Sequence, residues 1–182
     1  MRIRELTPEQ MTPAQRRVAE AAASGKRGHI PAPLRAWLHS PEMGDRAQHL
    51  GAFLRYDTSL APALSELAIL VTARFWTAHF EWYAHKREAL KAGIEPAVIA
   101  AIATRRVPPL SDAKAQAVYD YAGALHAQHI VPDPVHAAAL AALGETGLVE
   151  LVGLLGYYTL VAMTLNAFQI GLPEGETPEL AE

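Results

Sequence analysis

Apolar residues recur along this chain at intervals of three and four, and no strand-length run alternates one by one, so the pattern predicts helices alone. The first runs from about Thr12 to Ala23. Thr12 is its N-cap, Pro13 takes the first helical position, and Gln15 completes a capping box. Ser24-Gly25-Lys26-Arg27-Gly28 stops it, and an irregular connection leads to a short helix over Leu34 to Leu38. Ser40, followed by Pro41, caps a helix that reaches about Tyr56 and carries Met43, Ala47, Leu50 and Leu54 on one face. After a turn at Asp57 to Leu60 comes a long apolar segment ending at Gly93, a glycine placed as a helix C′ residue. Shorter helices follow over Pro96 to Thr104, from Ser111 as cap to about Gln128, and from Asp133 as cap to Leu143, where Gly144 ends the run. A final apolar helix spans about Thr146 to Phe168, and the Pro-, Gly- and Glu-containing tail from Gly171 reads as an arm or a disordered end. The fold class is all-α, a single helical bundle over 1–182 with an N-terminal extension over about 1–30 and a tail over 171–182.

The segment from Leu64 to Ile94 is the only place where acidic, basic and imidazole groups stand at regular spacing inside a strongly apolar run. On a continuous helix, advancing about 100° per residue, Arg74, Glu81 and His85 would share one stripe within about 40°, flanked by Trp82. Glu66 projects from the same segment. Ionisable groups on an apolar helix must face one another or a wet pocket, because burying each unpaired costs several kcal/mol. Each also has an ordinary reading. Glu81 and His85 are an i, i+4 pair that supports any helix, Glu66 is a carboxylate near a helix start, and Arg74 is an ion-pair partner for Glu81. His79 faces away from the stripe on a continuous helix and reads as a surface or interface histidine. A kink at Thr77 would change that. Tyr157, Tyr158 and Trp82 read as core or pocket wall, and His126, His129 and His136 as surface.

Composition narrows the function. At 182 residues with 51% hydrophobic content the chain can bury a substantial core. Its net charge of −3, with no basic run, argues against nucleic acid as a partner. The apolar stretch from Gly147 to Ile170 is interrupted by Glu150, Thr159, Thr164 and Asn166, which suits a buried core helix rather than a membrane span. Met1-Arg-Ile-Arg-Glu lacks the shape of a signal peptide, so the expected location is the cytoplasm. There is no cysteine. Thiol nucleophiles, thiolate–metal sites and disulfides are therefore excluded. Glu81-x-x-x-His85 could give two ligands to a metal, with Glu66 or His79 as a third, but HExxH and a second Glu-x-x-His are absent, and neither a metal nor another cofactor is expected.

Glu66, the run Glu81-Trp-Tyr-Ala-His85 and the following Lys86-Arg87-Glu-Ala-Leu-Lys-Ala-Gly93-Ile resemble the signature of the carboxymuconolactone decarboxylase family, which includes the AhpD-like alkylhydroperoxidases. LVELVGLLGYYTLVAMTLNAF, from Leu148 to Phe168, resembles the C-terminal helix of a cysteine-free branch, and with WLHSPEMGDRAQHLGAFLRYDTSL the likeness extends from about Pro33 to Pro173. The resemblance implies an AhpD-like bundle and a step in the central helix near Phe75-Trp76-Thr77, also the weakest point by helix propensity. The peroxidase-like members use two cysteines three residues apart. On the register of Glu66 and His85 those positions hold Ala78 and Glu81, neither of which can form a thiolate. The decarboxylase-like members keep Glu-x-x-x-His.

The expected activity is therefore a cofactor-independent lyase acting by acid–base chemistry on a small carboxylated, lactone or aromatic-derived molecule. His85 is the proton donor, Glu81 or Glu66 sets its charge and tautomer, and Arg74 holds carboxylate, with Trp82, His79, Phe80 and Tyr157 as further pocket residues. The alternative is a non-catalytic small-molecule-binding or structural oligomer on the same scaffold. The helix over Leu148 to Phe168 and the segment over Leu64 to Leu90 are apolar on nearly every face. Together with the resemblance, this implies a homo-oligomer, trimer-based, with a dimer as the alternative.

Overall fold

The computed structural model describes residues 1–26 and 28–181; Arg27, within the expected stop of the first helix, lies outside them. Eight α-helices make up the described residues: α1 Pro13–Ser24, α2 Ala32–Trp37, α3 Pro41–Tyr56, α4 Pro62–Phe75, α5 His79–Lys91, α6 Pro96–Ala103, α7 Ala113–Gln128 and α8 Asp133–Ala167. A single 3₁₀ turn, Pro8–Gln10, precedes them, and there is no strand among the described residues. The Thr12 capping box forms as expected, with the Gln15 amide hydrogen bonded to the Thr12 hydroxyl and the Gln15 side chain accepting from the Thr12 amide. Ser40 precedes α3 without making a side-chain cap. At α7 the cap is Asp112 rather than Ser111, its carboxylate accepting from the Ala115 amide. A carboxylate at this place also complements the helix dipole.

The centre is α4. Every residue from Leu64 to Arg74 is buried, because α5, α6, α7 and α8 pack around it. Leu67, Ile69 and Leu70 are almost wholly removed from water, each contributing about 1.5–3 kcal/mol of hydrophobic stabilisation. From Leu64 to Arg74 the apolar character of the segment is thus absorbed within one chain, while Phe75 and Leu90 stay exposed.

The expected step is present. α4 ends at Phe75, Thr77 takes a left-handed φ of 46°, and α5 starts at His79. A β-branched residue in that conformation is strained by about 1–3 kcal/mol. Two contacts hold it: the Arg74 guanidinium donates to the Thr77 hydroxyl at 2.9 Å, and the Ala78 amide donates to the Ala73 carbonyl at 2.8 Å. The step ends the helical register, so Arg74 does not share a face with Glu81 and His85. That corrects the stripe drawn on a continuous helix.

α8 contains both of the predicted last helices, joined through Gly144 at φ 70° and ψ 175°, a conformation open to glycine. Its N-cap is Pro132, one residue before the expected Asp133. By length and composition α8 could cross a membrane, but 56% of its most apolar window is buried inside the chain, against α3, α4 and α7 among others, as befits a core helix. The tail is not a free arm. Leu180 is buried in the core, and Glu176 and Glu179 pair with Arg87 and Lys86 of α5. Sequence reasoning placed His126 on the surface; instead its Nε2 lies 2.9 Å from the Thr72 hydroxyl and its ring stacks on Phe75 at 4.9 Å. The Thr72 hydroxyl donates to the Ala68 carbonyl, so His126 Nε2 is the donor to it, and burial lowers the pKa of the ring.

Candidate functional site

α4 and α5 lie side by side across the step, and this brings Glu66 to His85. Glu66 Oε2 is 2.7 Å from His85 Nδ1, with both side chains more than 90% buried. The α4 carboxylate fixes the ring's orientation and leaves Nε2 as the nitrogen for other chemistry. The ring stands edge-on to Tyr158 of α8, at a centroid distance of 4.8 Å.

His85 lines a cavity of about 90 Å³ with Glu81, Phe80, Ala84, Tyr157, Tyr158 and Arg55, closed on one side by His29, Pro31, Ala32 and Pro33 at the start of α2. Glu81 is 2% exposed, and neither of its carboxyl oxygens has a hydrogen-bond partner among the described residues. Burial alone pushes its carboxyl well above the usual carboxylate range. The site thus holds a buried carboxyl whose charged form is disfavoured beside the hydrogen-bonded Glu66–His85 pair. Glu81 and His85 are not the hydrogen-bonded i, i+4 pair of the ordinary reading; the imidazole's partner is Glu66, nineteen positions earlier.

Tyr157 lines this cavity. Three other expected residues do not. Trp82 is 1% exposed, packed into the core, with its indole nitrogen directed to Glu179 of the tail at 3.4 Å. His79 opens α5 and lines a separate cleft beneath the tail. Arg74 donates to Thr77 and to the Ala181 carbonyl at 2.8 Å, and burial, followed by the neighbouring Arg105, lowers its pKa. The cation at the cavity is Arg55 of α3, which sequence reasoning missed. Burial opposes its charge, but Tyr158, Tyr56, Glu66 and Glu88 together raise its pKa. Arg55 sits seven residues before Pro62 in a part of the chain read only for its apolar face, and no spacing rule links it to His85. No group of three or more His, Asp or Glu side chains is arranged to hold a metal ion among the described residues.

Residues 41–124 match the family model described as the carboxymuconolactone decarboxylase family. No curated protein matches the chain. Among solved structures, a protein of unknown function from Agrobacterium tumefaciens, presented as an AhpD candidate in antioxidant defence, aligns with a TM-score of 0.66 at 14% identity. The alignment covers 76% of this chain and 95% of that one. Such identity speaks for the fold alone. The matched segment carries Arg55, Glu66, Glu81 and His85 and no cysteine, so over residues 41–124 the chain is similar to the carboxymuconolactone decarboxylase family, and its fold is AhpD-like and all-helical.

Proposed function

We propose that the cavity is the active site of a cofactor-independent lyase that removes carbon dioxide from a small carboxylated, conjugated substrate. The observation that carries this reading is the geometry of two carboxyl groups at one imidazole site: Glu66 bound to His85 Nδ1, and Glu81 buried with no partner among the described residues, where burial favours its protonated form.

Arg55 binds the substrate carboxylate. As the bond to that carboxylate breaks, carbon dioxide leaves and the electron pair passes into the substrate's conjugated carbonyl. The neutral Glu81 carboxyl donates a hydrogen bond to the oxyanion that forms. The protonated His85 ring then delivers its Nε2 proton to carbon, while Glu66 stabilises the cationic ring before transfer, and solvent restores the proton. The apolar wall of Phe80, Tyr157 and Val161 keeps water from the leaving carboxylate.

A screen of carboxylated lactones and related unsaturated acids for carbon dioxide release tests this. His85→Ala should lower turnover by about 10²–10⁴-fold, the usual weight of a general acid. Equal turnover in the variant and the parent removes His85 from the chemistry and sinks the proposal.

Thiol-dependent hydroperoxide reduction is expected to stay at the blank rate, because the two positions that would hold cysteines are Ala78 and Glu81 and no residue can become a sulfenic acid. A peroxide-consumption assay with dithiothreitol as donor checks this, and turnover that survives a chelator would overturn it.

A further inference from the structure

A proton donor in a core must be reloaded. In the proposed reaction the substrate carboxylate leaves as carbon dioxide, and the carbon that held it takes a proton from His85. Each turnover therefore draws one proton from water. His85 is only 6% exposed, and Glu66 occupies its Nδ1, so the proton returns through Nε2.

The cavity beside the ring is the way in. Its volume of about 90 Å³ has room for several waters, since one water needs about 10–15 Å³. Polar side chains to hold them line its wall: Arg55, Glu81, Tyr157 and Tyr158 beside His85, and His29 on the connection between α1 and α2. These groups differ in what they can do with a proton. Phenol and guanidinium groups keep theirs near neutral pH. Glu81 keeps its own because burial disfavours the charged form. Glu66 stands behind the ring, at Nδ1. An imidazole gains and loses a proton readily near neutral pH. His29 is the one described lining residue that is exposed, so it meets bulk water on one side and the cavity on the other.

We infer that His29 is a proton shuttle, carrying protons between bulk water and His85 Nε2 through water held in the cavity. Once carbon dioxide and product have left, the protonated His29 ring gives its proton to a cavity water as that water gives one of its own to His85. One N–H bond breaks, one forms, and the neutral His29 ring takes a new proton from bulk water. Use of the path in turnover rests on the lyase proposal; the path itself does not.

Nuclear magnetic resonance on histidine-labelled protein tests the path without a substrate. Relaxation dispersion at the His85 Cε1 carbon reads how fast the ring gains and loses its proton, in HEPES, a buffer too bulky for the cavity. His29→Ala should slow this exchange about tenfold, as loss of a proton-transfer group does. Added imidazole, which fits the space left by the side chain, should restore it. His29→Gln keeps a polar side chain but cannot carry a proton, and should be as slow as His29→Ala. Both should leave the circular dichroism spectrum unchanged, because residue 29 is exposed and lies outside the helices. Exchange at the parent rate in either variant overturns the inference by showing that water reaches His85 unaided. Slow exchange in His29→Ala that imidazole leaves unchanged overturns it too, by reducing His29 to a structural role. Failure of the carbon dioxide assay with His29-dependent exchange intact would sink the lyase proposal alone.

Discussion

Glu81→Met is expected to raise the melting temperature by about 5 °C at pH 8 and to abolish turnover. Glu81 is buried with two unpartnered oxygens, and an apolar side chain of similar length removes that penalty, about 1–3 kcal/mol. For a chain of this size each kcal/mol moves the midpoint by about 2–4 °C. The pH dependence has a definite sign. Burial raises the folded-state pKa of Glu81 above the value of the unfolded chain, so between the two the folded state keeps a proton that the unfolded state has released. Glu81 therefore weakens the fold progressively as pH climbs from about 4.5 through its folded-state pKa, and has no such effect below both values. The Met variant should lack this decline, and the gap between variant and parent should widen with pH. Thermal melts of both proteins from pH 4 to 9 check it. A variant less stable than the parent at pH 8 would show that Glu81 has a stabilising partner and that the neutral-acid role is wrong. A residue that costs stability and is needed for turnover is what a functional group in a core should be.

The helices were legible because their signals are local. Thr12 with Gln15, Pro41 after Ser40, Gly93 and Gly144 mark boundaries through backbone chemistry that needs no tertiary context. The step at Thr77 was legible as a weak point in propensity and as an implication of family resemblance. Its consequence was not, since the rotation of α5 relative to α4 depends on a left-handed residue held by Arg74. A stripe computed across Phe75 to Ala78 therefore put Arg74 with the wrong partners.

At the candidate site, Glu66, Glu81 and His85 could be picked out because ionisable groups in an apolar run demand an explanation wherever they point. Which carboxylate meets the imidazole could not be read, because Glu66 and His85 lie on different helices and their meeting is a matter of packing. Arg55 was hidden for a different reason. An arginine in the last turn of an amphipathic helix is unremarkable in sequence, where it complements the helix dipole, and only the packing of α3 beside α8 takes it to the cavity. The tail misled in the opposite direction: its composition is that of a disordered end, yet one leucine and two carboxylates are enough to dock it on α5.

We propose that the exposed face of α8 is covered by further copies of this chain, giving a trimer-based homo-oligomer with a dimer as the alternative. α4 is hidden within the chain from Leu64 to Arg74, so the argument rests on α8. Val149, Val152, Leu160 and Met163 recur along one side of it at intervals that return to the same face, with Val149 72% and Met163 50% exposed. Leu50 and Phe53 of α3, a helix that packs on α8, are also exposed. Four exposed apolar residues on one face of a single helix exceed the scattered apolar residues of an ordinary monomer surface and fit a self-complementary contact. Light scattering at micromolar concentration should return a multiple of the 19.7 kDa chain mass. Replacing Val152 and Met163 together with Glu puts two charges into the contact and should reduce the mass to that of one chain, with helicity unchanged, because both side chains are already solvent-facing in the isolated chain. A parent mass near 19.7 kDa would show that the stripe stays in water and that α8 does not build an assembly. A parent oligomer unaffected by the double substitution would move the contact to another surface.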